Sequence, residues 1–85
     1  MASREEVLEQ MRGVDLTMRY RRGESGMYYG YCEEFPEARS QGETKEEFEE
    51  NLLDAIAFML EEYSVEELRE LREQLSDQHS EYITL

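Results

Sequence analysis

A chain of 85 residues has room for one hydrophobic core, with about 60–65% of its unfolded surface open to burial. Twenty-two acids against nine bases give a net charge of −13, which on average repels nucleic acid and anionic membrane and suits either solubility or a basic partner. A hydrophobic content of 39%, with six Tyr and three Phe, excludes a disordered chain, and a single Cys excludes an internal disulfide framework.

The N-terminal MASREEVLEQ lacks the apolar run of a signal peptide, and no later stretch approaches the ~20 apolar residues of a membrane span; a cytoplasmic protein is expected. Ser3 followed by Glu6 is a capping box, in which the hydroxyl accepts from a free amide at the helix start and the carboxylate reaches back to the cap. The device recurs at Thr44 with Glu47 and at Ser64 with Glu67, so three helices are predicted. The first covers about residues 4–12, with Val7, Leu8 and Met11 as its apolar edge and Gly13 as its stop.

VDLTMRY then alternates. Val14, Leu16, Met18 and Tyr20 share one face, and Asp15, Thr17, Arg19 and Arg21 the other, the pattern of a half-buried strand. RRGESG reads as a hairpin turn and MYYGYC as the returning strand. Met27, Tyr29 and Tyr31 fall on one of its faces, Tyr28, Gly30 and Cys32 on the other. A glycine in mid-strand marks close approach by another backbone or an aromatic ring. Pro36 cannot donate to a ladder and keeps Phe35 extended, so the chain bends there; ARSQ is a short third strand before Gly42 turns the chain.

Thr44 starts the long helix, about residues 45–62. Phe48, Leu52, Ala55, Ile56, Met59 and Tyr63 form one face, Leu53, Ala57 and Leu60 a second flank, and Phe58 a third. A helix apolar over so much of its circumference needs cover on more than one side. The sheet supplies one; another helix, or a second copy of the chain, supplies the rest. The last helix, about 65–77, has a narrow stripe of Val65, Leu68, Leu71 and Leu75, and EYITL is β-prone, suited to an added strand or to docking on a partner. The expected fold is α+β, in the order αβββαα with an optional terminal strand. It is a single domain over residues 1–85: a three-stranded antiparallel sheet carries the long helix on one face, the central unit spans about 14–63, and shorter helices at 3–12 and 65–77 flank it.

Signals for chemistry are sparse. His79 is the only His and lies in the hydrophilic SDQHSEY. Cys32 stands beside Glu33 and Glu34, and acids raise a thiol's pKa, so it reads as a buried or edge residue rather than a nucleophile. The many Glu pairs fall on helical faces opposite the apolar residues, where solvation accounts for them. RRGESG lacks the spacing of a phosphate loop. No cofactor, metal or catalytic set is expected. Arg19, Arg21 and Arg22 form the one local basic patch, assigned to pairing with acids of a neighbouring subunit.

The segment MYYGYCEEFPEARSQGETKEEFEENLLDAIAFMLEEY, residues 27–63, resembles the HicB antitoxin-like family: an aromatic strand, Phe-Pro, a short strand, Gln-Gly-Glu-Thr, and a Glu-rich helix start followed by Asn-Leu-x-x-Ala-Ile. LTMRYRRGESG before it fits in order, so the resemblance covers about 50 of the 85 residues. It implies a truncated RNase H-like fold without that enzyme's metal carboxylates, and a protein that binds a small basic HicA-like ribonuclease toxin. The chain departs from the pattern in Phe48, where the family often has a small residue, and in its extra first helix. Its last helix carries too many acids for DNA recognition, so no direct DNA binding is expected.

Three readings result. In the first, a non-enzymatic module covers a basic toxin, with Glu33, Glu34 and Glu37 as its acidic contact edge. In the second, a solitary homo-oligomer with a structural or ligand-binding role meets its copy through Leu53, Phe58, Leu60, Leu71 and Leu75. In the third, a nuclease uses Asp15 and Asp54, the only acids on elements where the RNase H plan places ligands.

Overall fold

The computed structural model describes residues 1–75 and 82–84. The elements run α1 (Arg4–Gln10), β1 (Asp15–Arg22), β2 (Tyr28–Cys32), β3 (Arg39–Gly42), α2 (Lys45–Leu60), α3 (Val65–Gln74) and β4 (Tyr82–Thr84). This is the predicted α+β order, with the optional terminal strand present. The strands form one antiparallel sheet in the order β3-β2-β1-β4. Tyr82–Thr84 therefore adds a strand at the β1 edge, with Leu16 opposite Ile83. His79 and the predicted end of the last helix at 76–77 lie outside the described residues.

The helix starts follow the capping residues. Ser3 and Ser64 form complete boxes with Glu6 and Glu67. At α2 the Thr44 hydroxyl accepts from the Glu47 amide at 3.1 Å, but the Glu47 carboxylate reaches one residue further back, to the Glu43 amide at 3.4 Å. The end of α2 needs no glycine. Its last turn tightens into i→i+3 bonds from Glu61 to Phe58, Glu62 to Met59 and Tyr63 to Leu60. The Ala2 amide then donates to the carbonyls of both Glu61 and Tyr63, so the N-terminal segment satisfies groups the helix end leaves open.

The core lies between the sheet and the helices. Leu16, Met18, Cys32, Phe48, Leu52, Ile56, Leu60 and Leu68 are buried. The broad apolar surface of α2 is covered within one chain: β3 and β2 take one side, and α1 brings the fully buried Val7 and Met11. Leu60, expected at a contact between copies, is fully buried here and is not open to a partner. Leu53, Leu71 and Leu75 are half-buried against the same core, which leaves Phe58, 74% exposed, as the only fully outward member of that set. Leu8, expected on the apolar edge of α1, instead faces solvent.

Two glycines are contact points. A Cβ on Gly30 would lie 2.2 Å from the Arg19 carbonyl oxygen and 2.7 Å from the Tyr20 Cβ, the close approach by a neighbouring strand that the sequence predicts. Gly42 does not turn the chain; it ends β3, and a Cβ there would stand 2.5 Å from the Phe48 backbone nitrogen. The missing side chain lets the first turns of α2 press onto β3, where Ser40 Oγ donates to the Phe48 carbonyl and Asn51 Nδ2 to that of Gln41.

Candidate functional site

Strand alternation sorts the side chains into two layers. On the helix side Tyr20 packs between Tyr28 and Phe48, with ring centroids 6.2 and 5.6 Å away, and Lys45 Nζ lies 5.2 Å from the Tyr20 centroid. The opposite face of β1, β2 and β3 carries Arg19, Arg21, Tyr29, Tyr31, Arg39 and Gln41, all exposed. The register interleaves them: Arg19 is opposite Tyr31, Arg21 opposite Tyr29, and Tyr31 opposite Arg39. The result is two tyrosines on the middle strand flanked by guanidinium groups on both neighbours. They line an open depression of about 500 Å³.

The basic cluster foreseen at Arg19, Arg21 and Arg22 is therefore divided. Arg22 belongs to the helix side, its guanidinium 5.8 Å from the Tyr28 centroid, and Arg39 of β3 takes its place on the open face. Arg39, Tyr29 and Tyr31 had a legible signal in the period-two pattern, but only the pairing of three strands places them together.

The expected acidic edge is divided as well. Glu33 is exposed and pairs with Arg19 at 3.2 Å. Glu37 is exposed in the bend. Glu34 is turned inward: its carboxylate accepts from the Thr17 amide at 2.7 Å and the Thr17 hydroxyl at 2.8 Å, and from the Cys32 thiol at 3.5 Å. It fastens the 33–38 bend to β1 and is not free to meet a partner. Burial pushes the Glu34 carboxyl up, but the Thr17 bonds outweigh it and hold the group below its ordinary value of 4.5. The Cys32 thiol is pushed up to about 12 by burial and by the Glu34 charge, so it is protonated at neutral pH and serves as a donor.

Replacing Glu34 by Ala is expected to lower stability by about 1–3 kcal/mol at pH 7, because the buried Thr17 amide loses an ionised acceptor. The folded carboxyl titrates below its unfolded value, so the unfolded chain takes up this proton first. The contribution is whole above pH 4.5 and is lost as pH falls through the lower folded value. Denaturant unfolding of both proteins between pH 7 and pH 3 checks this: the gap between them should close on acidification, and a gap that widens would exclude the carboxylate clamp.

Acids dominate the helical layer. On α2, Glu47, Glu50 and Asp54 are exposed along one stripe with Phe58, and Glu62 follows one turn later. Asp54 pairs with Arg4 of α1. Asp15 stands at the start of β1 opposite Thr84, on a different element from Asp54. Among the described residues no group of three or more His, Cys, Asp or Glu could hold a metal ion, and no helix is long and apolar enough to cross a membrane. No family model, curated protein or solved structure was found to match the chain.

Proposed function

We infer that this chain is a cytoplasmic, non-enzymatic binding module of the HicB-like type, which covers a small basic protein; by the resemblance of residues 27–63, that protein is a ribonuclease toxin of the HicA kind. The observation that carries the reading is Phe58. A phenylalanine 74% exposed, set one turn from Asp54 and one turn from Glu62, is an apolar anchor inside an acidic field. The field speeds encounter with a cationic surface, and the ring supplies the desolvated contact that sets the lifetime of the complex. The contact stripe is thus on α2, in place of the Glu33–Glu34–Glu37 edge.

The rival is self-association through the same ring. Native mass measurement of the purified chain, alone and with a small basic protein recovered from its own cell extract, separates the two. A complex of fixed stoichiometry that Phe58→Ala weakens about 10- to 100-fold supports the first reading. A homo-oligomer that Phe58→Ala converts to monomer, with no basic protein attached, supports the second. A monomer that captures nothing and is unchanged by the substitution excludes both.

A further inference from the structure

The open sheet face has no role in that reading, and its chemistry is opposite to that of the rest of the molecule. We propose that the lattice of Arg19, Arg21, Arg39, Tyr29 and Tyr31 binds single-stranded nucleic acid, with bases stacked on the two tyrosines and phosphates held by the arginines. Tyr29 and Tyr31 lie two residues apart on β2, about 7 Å along the strand, and on the same face. That is a repeat on which two successive unstacked bases can rest, one ring each. Arg21 and Arg19 stand beside them on β1 with the same repeat, and Arg39 stands beside Tyr31 on β3. The backbone of a strand stacked along β2 therefore passes guanidinium groups on both sides. Every base has a π-face, so such a platform accepts single strands with little sequence preference. The depression is open to solvent and runs across three strands, which fits an extended strand.

The net charge of −13 is the strongest objection, and its placement answers it. Most of the acids lie on the helices, on the far side of the sheet from its open face, and salt screens their field over a Debye length of about 10 Å at 0.1 M. At that ionic strength a phosphate on the face meets its nearest guanidiniums at contact range and the helical acids through screening. Two acids compete locally: Glu33 already pairs with Arg19 at 3.2 Å, so a bound phosphate displaces that contact, and the Glu34 carboxylate, held on Thr17, borders the same end of the face; Arg21 and Arg39 have no ion pair among the described residues. An acidic peptide or the acidic helices of a second copy would satisfy the arginines equally. Tyrosine rings also anchor protein partners, but two rings repeating along one strand at the spacing of successive bases, with guanidiniums on both flanks, favour a nucleic acid.

The test uses the whole chain and a fluorescein-labelled ten-residue oligouridylate in 0.1 M salt, read by anisotropy, with a poly-glutamate peptide as competitor. Saturable binding is expected at micromolar to millimolar protein. Tyr29→Leu and Tyr31→Leu should each weaken it about 5- to 100-fold, while Tyr→Phe at the same positions restores it, because the stacking face and not the hydroxyl is used. Arg21→Ala and Arg39→Ala should weaken it at least threefold and flatten its salt dependence. All four positions changed are exposed, and matched melting curves confirm that each variant is folded. The proposal is overturned if the oligonucleotide fails to bind, or if the Tyr→Leu variants bind as well as the parent chain. It is also overturned if poly-glutamate binds as tightly as the oligonucleotide, or if the mass doubles and Arg21→Glu returns it to monomer, which would assign the face to a second copy.

Discussion

Replacement of Phe48 by Ala is expected to lower stability by about 3–5 kcal/mol, the range for removing a fully packed aromatic ring. For a domain of this size each kcal/mol moves the melting midpoint by roughly 4–8 °C. Phe48 has no exposed surface, and it sits where three contacts converge. Its ring meets Tyr20 at 5.6 Å, its amide lies against the bare α-carbon of Gly42, and its carbonyl accepts from Ser40 Oγ at 3.0 Å. The surroundings cannot close over the void. Tyr20 is held from the other side by Tyr28 and by Lys45, and the helix backbone already touches β3, so neither can advance. Phe48→Leu, which keeps most of the volume but removes the ring pair, should lose only about 1–2 kcal/mol. Thermal and denaturant unfolding of both variants checks the order; equal losses would mean that ring packing is not what holds α2 to the sheet. The packing shows how a large residue is accommodated at this position: Gly42 makes room for the helix backbone, and Tyr20 packs against the ring.

The local devices were readable from the chain, and the long-range ones were not. Ser3, Thr44 and Ser64 act through residues three positions on, so their helix starts are written in short windows. The alternation through β1 and β2 likewise separates Tyr20 from Arg19 and Arg21 without help from the rest of the fold. Arg39 is different. Its place beside Tyr31 depends on the register between β2 and β3, which is set by the bend at 33–38 and by the Glu34 clamp on Thr17. Nothing in EEFPEAR states which of two adjacent glutamates turns inward. Leu60 is a parallel case. The surplus apolar surface of α2 was legible as a demand for cover, but not that Val7 and Met11 of α1 would meet it and make a second copy unnecessary there. Net charge conceals the basic-aromatic face, because it averages over two layers that the fold keeps apart.

Gly30→Ala is expected to damage stability and the open face together, and Gly23→Ala to separate them. At Gly30 the new methyl meets the Arg19 carbonyl oxygen at 2.2 Å and Tyr20 Cα and Cβ at 2.8 and 2.7 Å. None of these is the free end of a side chain, so relief requires β1 and β2 to part at the pair Tyr20–Gly30. Overpacking of this kind costs about 1–3 kcal/mol, and each ladder bond opened adds about 0.5–1.5 kcal/mol, so a loss of about 3 kcal/mol or more is expected. The seam that opens is the one that holds Tyr29 and Tyr31 against Arg21 and Arg19, so molecules that remain folded should also lose oligonucleotide affinity. At Gly23 the only close neighbour is the edge of the Tyr29 ring, 2.8 Å from the added carbon. That ring is partly exposed and can swing away, so stability should change by less than about 1 kcal/mol while one stacking platform is displaced. Denaturant unfolding paired with anisotropy on the same samples reads both effects. If Gly23→Ala leaves both quantities unchanged, Tyr29 is not held where stacking needs it. If Gly30→Ala is as stable as the parent chain, the two strands are not in contact at Gly30, and the register that assembles the arginine and tyrosine lattice falls with it.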